Sequence, residues 1–323
     1  MILEKYERKI RLHVTYIQGP GDLFAPIRLK EVDLVTLTHH HFDDGRFDYK
    51  SKGLLLPLDT TKITRFQELI PGLRDAEYLR KDNEVFGVPV CQGMYGLVYN
   101  TKKVLPAPTS WQVLWKPEHK GAYAIGANEY LYNVCTTALA MGYPRDSISK
   151  YSRLDNRKFR NKLRALALNA GGFWAGQDKA DDLAGKSLSA GWGDGLKKLR
   201  ERGENWKFAE PEEGALCWVD SYALTWALAD KPFLREVAQE WIDFLLRPEF
   251  QVDYAVRELS QRAVTTTIGP RLTEEERKRL HVDEADYFEN NCVLLPTFTH
   301  RDRNGMKMLW DEAMLGIVTG KEE

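Results

Sequence analysis

The chain has 323 residues, 43% hydrophobic and 29% charged, with 46 basic against 47 acidic side chains. That length exceeds one small core and predicts two compact units, and the balance excludes both a disordered tail and a membrane-embedded chain. Near-neutral charge with no long basic run leaves no electrostatic footprint for nucleic acid or an anionic membrane.

The N-terminus reads Met1-Ile2-Leu3-Glu4-Lys5-Tyr6-Glu7, a helical start without the apolar core of a secretion signal. No stretch approaches the ~20 apolar residues that span a bilayer. If the protein is exported, its signal is absent from this chain. Strand-like runs follow at residues 12–17, 32–38, 87–90, 96–100, 122–125 and 187–192, alternating with helical patterns, which predicts an α/β fold.

The proline-rich stretch Val104-Leu105-Pro106-Ala107-Pro108-Thr109-Ser110-Trp111 reads as a linker into a second unit. A helix is expected from Lys231-Pro232, with Leu234, Val237, Ala238, Trp241, Ile242 and Leu245 one turn apart until Pro248, and Arg235, Glu236, Glu240 and Asp243 on its charged face. A last helix carries Met306, Leu309, Trp310, Ala313, Met314 and Ile317 and stops at Gly320. No repeat of about 20–50 residues points to a solenoid or propeller.

The common catalytic signatures are missing: there is no nucleophile elbow, no H-E-x-x-H, no phosphate-cradling loop and no dinucleotide fingerprint. Cys91, Cys135, Cys217 and Cys292 are far apart and form no C-x-x-C pair. The run His39-His40-His41, followed by Asp43 and Asp44, invites a metal site, but successive residues of an extended chain face opposite sides. A polar strand end with one histidine towards a ligand is the alternative. Tyr130 and Tyr132, two apart, are able to share a face as phenolate ligands of a ferric ion or to stack on a ligand.

Gly191-Trp192-Gly193-Asp194-Gly195 precedes a basic helical start, so its amides are placed either to face an anion or to make a tight turn. Trp218-Val219-Asp220 is more informative. On a strand, positions 218 and 220 project to one side, putting an aromatic face beside a carboxylate, a pairing suited to an organic cation.

The order of these segments resembles the spermidine/putrescine-binding proteins of bacterial ABC importers. The resemblance rests on Asp33-Leu34-Val35, Gly87-Val88-Pro89, Thr109-Ser110-Trp111, Leu114-Trp115-Lys116-Pro117-Glu118-His119-Lys120-Gly121, Gly214-Ala215-Leu216-Cys217-Trp218-Val219-Asp220-Ser221 and Phe244-Leu245-Leu246-Arg247-Pro248. It implies a two-lobed type II periplasmic binding fold with a hinge and an interlobe cleft. Residues 1–100 and 220–266 are expected as lobe 1, and residues 101–219 and 267–323 as lobe 2.

Carried over residue by residue, Asp220 falls on the acid that holds a ligand amine, and Trp218 and Trp192 on two stacking tryptophans. Thr38 and His40 fall on a strand-end serine and tyrosine that touch ligand, and Gln92 and Tyr95 on the segment after Gly87-Val88-Pro89 that faces the cleft. Asn128 and Tyr132 stand where the family has two further acids, with Glu129 the nearest carboxylate, and Arg262 stands where it has a tyrosine.

A desolvated ammonium needs an anionic partner or costs several kcal/mol, so one secure acid suits a ligand with a single amine or quaternary nitrogen, with Arg262 available for a carboxylate. The expectation is therefore a monomeric, non-enzymatic binding protein, periplasmic or extracellular and lipid-anchored, that hands a nitrogenous cation or zwitterion to an ABC transporter permease. It calls for no metal, no cofactor and no nucleic acid. Two alternatives keep the fold: a ferric-ion or oxyanion binder using Tyr130, Tyr132, His40 and Arg262, and a sensory ligand-binding module. A second departure is that the family opens with an apolar strand before the helix matched by Ile2-Leu3-Glu4-Lys5-Tyr6-Glu7, and this sequence starts at that helix.

Overall fold

A computed structural model describes Tyr6 and residues 9–17, 21–259, 261–284 and 287–317. The strands are β1 (Leu34–Thr38), β2 (Leu55–Leu56), β3 (Arg80–Lys81), β4 (Glu84–Val85), β5 (Val88–Asn100), β6 (Tyr123–Gly126), β7 (Gly172–Trp174), β8 (Leu188–Gly191), β9 (Trp206–Phe208), β10 (Ala215–Thr225) and β11 (Cys292–Leu294). Among the helices are α1 (Gly21–Arg28), α2 (Tyr130–Ala140), α3 (Arg157–Asn169), α4 (Leu196–Glu201), α5 (Pro232–Leu245) and α6 (His300–Met314). They fold into two compact units, the first comprising Met1–Gln92, Val219–Arg257 and Gln261–Leu280, the second Gly93–Trp218, Glu258–Ser260 and His281–Glu323.

In the first unit β1 runs antiparallel to the second half of β10, from Leu34 opposite Leu224 to Thr38 opposite Asp220. β2 pairs antiparallel with the end of the same strand. Helix α5 begins at Lys231-Pro232, where proline's missing N–H costs nothing. It buries Ala238, Ile242 and Leu245 in a core that includes Val219, Leu224 and Leu228. A neighbouring core gathers Ile27, Val35, Leu37, Phe42 and Tyr49.

In the second unit the later part of β5 pairs antiparallel with β8 and β9, while β6 runs parallel to β7 and β8. β6 and β8 are buried along their whole length, as strands covered on both faces are. β11 adds in parallel to the first residues of β10. Helix α6 carries Gly305, where a Cβ would lie 2.2 Å from the ring of Tyr151, so glycine alone allows the approach.

Several expectations change. Residues 12–17 form no strand, and Leu12, Val14 and Tyr16 are exposed, Tyr16 at 91%. Alternation marks a chain that can pair, and among the described residues no strand pairs with this one. The helix expected over residues 2–7 lies outside the described residues apart from Tyr6, as does the stop at Gly320. The last helix starts earlier than its apolar stripe, at a Thr299 cap that accepts the Asp302 amide.

Residues 88–90 and 96–100 belong to one 13-residue strand, Val88–Asn100, with Gly93 and Gly96 in its interior. At Gly96 a Cβ would meet the Phe208 ring at 2.6 Å, so this glycine admits β9. The unit division also differs. The chain leaves the first unit between Gln92 and Gly93, not at 100/101, and residues 104–111 lie wholly in the second unit. Their prolines follow a strand, whereas the passages at Gln92/Gly93 and Trp218/Val219 lie inside the continuous strands β5 and β10.

An alanine at an ordinary helix position would stabilise, by up to about 1 kcal/mol over glycine. Gly305→Ala is expected to do the reverse, lowering stability by about 1–3 kcal/mol through overpacking against Tyr151. A chemical-denaturation midpoint at or above wild type would show that the helix can shift to make room.

Candidate ligand-binding site

Each unit carries its own group of candidate residues. In the first, β10 alternates strictly: Trp218, Asp220 and Tyr222 are half-buried on one face, while Val219, Ser221 and Ala223 are fully buried on the other. The pairing places Thr38 directly opposite Asp220. Its hydroxyl donates to Asp220 Oδ1 at 2.7 Å. Burial pushes the Asp220 carboxyl up to about 6, against the lowering effect of the Thr38 hydrogen bond. No basic side chain pairs with it among the described residues.

Tyr78, which sequence reading passed over, belongs to this group. Burial raises its phenol well above the ordinary value, and the charge of Asp220 adds to the shift. Its ring lies 5.7 Å from that of His39. Nothing in Glu77-Tyr78-Leu79 marks it, because contact with β10 comes from tertiary folding.

The three histidines do not continue β1. They form a 3₁₀ turn in which all three are buried. The argument from extended geometry therefore does not apply. His39 Nδ1 accepts the Val219 amide at 3.3 Å, and the His40 ring lies edge-on to that of His39 at 5.0 Å and tilted against that of His41 at 4.1 Å. Gln92 and Arg262 form an isolated antiparallel bridge through their backbones. Gln92 Nε2 donates to the Ala263 carbonyl at 2.8 Å while its buried Oε1 has no hydrogen-bond partner among the described residues, and Arg262 is half-buried.

In the second unit the candidates converge on a box of rings. Tyr95 lies 5.0 Å from Tyr132 and 4.9 Å from Trp192, and Tyr132 lies 4.7 Å from Trp192. Trp174 and Trp218 flank Trp192 at 6.4 and 6.3 Å. Edge-on packing dominates, as the ring quadrupole favours. Tyr95 is fully buried and its hydroxyl donates to Asn133 Oδ1 at 2.8 Å, so it acts as a wall. Asn133 in turn donates to the Gly126 carbonyl.

Tyr130 and Tyr132 do not share a face, because they open helix α2, where residues two apart point away from each other. The turn before α2 separates Asn128 from Glu129 as well. Asn128 is exposed. The Glu129 side chain packs where a Cβ on Gly126 would stand, beside Trp174. Burial pushes its carboxyl up to about 7, and no donor of the described residues meets it.

The amides of the glycine turn after β8 are already answered. Gly193 and Asp194 donate to the carboxylate of Asp178 at 2.9 and 3.1 Å. Asp178 is fully buried, and a Cβ on Gly191 would stand 2.4 Å from its Oδ2. The protein's own anion thus occupies the place offered to an external one, and it fixes the loop that presents Trp192. Burial, with the charge of Asp194 next, pushes Asp178 up to about 7. No motif at Gln177-Asp178-Lys179 announced this role. The described residues contain no group of three or more His, Cys, Asp or Glu placed to hold a metal ion.

A family model described as a bacterial extracellular solute-binding protein matches residues 32–291. The spermidine/putrescine-binding periplasmic protein of Escherichia coli (strain K12) is 25% identical over 262 residues, 77% of this chain and 69% of that one. The structure of a spermidine/putrescine ABC transporter substrate-binding protein from Streptococcus pneumoniae aligns with a TM-score of 0.78 at 18% identity, over 97% of this chain and 93% of that one. A GABA receptor structure aligns with a TM-score of 0.71 at 16% identity, over 98% of this chain and 91% of that one. These likenesses bear out the two-lobed periplasmic binding fold expected from the sequence.

The Glu129 carboxyl gives a pH test. Its folded-state value lies above the ordinary 4.5. The native state therefore holds the proton longer than the unfolded chain, and stability falls as pH rises from about 4.5 through about 7. Glu129→Gln removes that loss. Its stability relative to wild type is expected to improve by about 2 kcal/mol between pH 4 and pH 8. Parallel thermal-melting curves for the two proteins across this range would mean that Glu129 is well solvated.

Proposed function

We propose, from the premise that this chain belongs to the bacterial extracellular solute-binding protein family, that its ligand is a small nitrogen-containing cation or zwitterion whose amine is held by Asp220. As a member of that family the chain is a solute-binding protein and not an enzyme. Its partner in the transport reading is the permease of an ABC importer, as for the spermidine/putrescine-binding relatives. Binding makes and breaks no bonds, so affinity and release are the whole of its chemistry.

One observation carries the reading. Asp220 is a desolvated carboxyl whose only hydrogen-bond donor among the described residues is the hydroxyl of Thr38. A buried carboxylate left this way is short of positive charge, and an ammonium ligand supplies it through charge-assisted hydrogen bonds. Relatives of this fold include proteins named for spermidine and putrescine and one named for GABA. The fold therefore does not select among amines, and the side chains must. The ferric-ion alternative loses its basis, because Tyr130 and Tyr132 open a helix on different faces.

Asp220→Asn preserves shape and the Thr38 partner while removing the charge. Losing one member of a desolvated charge pair costs about 2–5 kcal/mol, so affinity for an amine ligand should fall at least ~30-fold. Circular dichroism and melting temperature should stay near wild type. Titration calorimetry with polyamines, betaines and amino acids would reject the assignment if the variant bound any of them as tightly as wild type does.

A further inference from the structure

Between residues 150 and 164 the chain carries seven bases and one acid, although over its whole length acids exceed bases, 47 against 46. The excess of positive charge is therefore local. The one acid, Asp155, is held by Arg160, which also meets Glu312 of α6. Arg153, Arg157, Lys158 and Lys162 have no ion pair among the described residues. Lys197, Lys198, Arg202 and Lys307 of the same unit each meet a carboxylate.

Helix α3 sorts these residues by face. Phe159, Leu163, Leu166 and Ala167 are buried. Lys158, Asn161, Lys162 and Ala165, three and four apart, form a second stripe. With Gln112 and Met141 that stripe lines a cavity of about 430 Å³. A second cavity, of about 360 Å³, shares Gln112, so the two meet there; its walls include Lys103, Lys116, Pro106, Pro108 and one acid, Glu118. All of these residues belong to the second unit, and none is a candidate for the amine site.

The Lys162 ammonium is fixed in this groove. It donates to Gln112 Oε1 at 2.7 Å and stands 4.3 Å from the centroid of the Trp115 ring. Gln112 is anchored in turn by donating to the Ala140 carbonyl. Burial lowers the pKa of Lys162, since the charge has lost water and gained no counter-ion. A cation already held in one position gives up less side-chain freedom when a partner arrives.

Four lysines against one glutamate ask for negative charge, and the walls at Met141, Pro106 and Pro108 ask for carbon. A small anion answers the lysines alone. An extended chain bearing carboxylates answers both, and the Asn161 amide offers the donor and acceptor that peptide groups pair with. We infer that this groove of the second unit binds an acidic segment of another polypeptide, with carboxylates on Lys158 and Lys162.

Fluorescence anisotropy of a labelled oligoglutamate peptide with the whole chain tests it. Saturable binding at low ionic strength should weaken at least ~10-fold in molar salt, where charges are screened beyond ~3 Å. Lys158→Glu with Lys162→Glu should weaken binding ~5- to 20-fold. Lys207→Glu with Lys278→Glu makes the same change in net charge at exposed lysines outside the groove. It should cost less than ~2-fold.

Equal losses in the two double variants overturn the inference, because the overall field then accounts for binding. A wild type that does not bind the peptide overturns it too. So does inorganic phosphate, or a phosphatidylglycerol vesicle, that binds wild type more tightly than the peptide and loses that binding in the Lys158, Lys162 variant: the groove is then a small-anion or headgroup site. If that variant melts well below wild type, Lys158→Glu alone, at an exposed position, decides in its place.

Discussion

The structure depends on one constraint: two long strands, β5 and β10, each continue from one unit into the other. A strand has a side-chain period of two, so the register that sets one half sets the other. In β10 the pairing of Thr38 with Asp220 fixes which face that residue takes. The same alternation then fixes the face of Trp218, two residues back and in the other unit. A slip of one residue would bury Trp218, Asp220 and Tyr222 in place of Val219, Ser221 and Ala223. The apolar partners of Val219 in the core, among them Leu224 and Ile242, oppose that slip.

On this frame the chain accumulates acids without matching bases. Asp220, Glu129, Asp178 and Asp194 are each raised by desolvation. Their local answers differ. Asp178 is stabilised by two backbone amides and serves to hold the Trp192 loop. Asp220 has one hydroxyl, and Glu129 has no donor. Asp178 has the most hydrogen bonds and is structural, whereas Asp220 has one and Glu129 and Asp194 have none among the described residues. Ionised groups left under-compensated weaken the empty protein, and a ligand that supplies the missing partner recovers part of that cost on binding.

The sequence made the α/β class legible, along with helix α5 and the face shared by Trp218 and Asp220, because each rests on a local period. Periodicity could not tell whether Tyr130 and Tyr132 stood on a strand or at a helix start, and the two geometries put them on opposite or shared faces. Residues 12–17 have the right alternation and no partner, so the pattern alone misled. The unit boundary was drawn at prolines because breakers are visible, whereas the passage through Gln92 and Gly93 lies inside strand β5. Asp178, Tyr78 and Trp174 stayed hidden for a further reason: their roles come from neighbours more than ten residues away in sequence, such as Gly193, Asp220 and Tyr95.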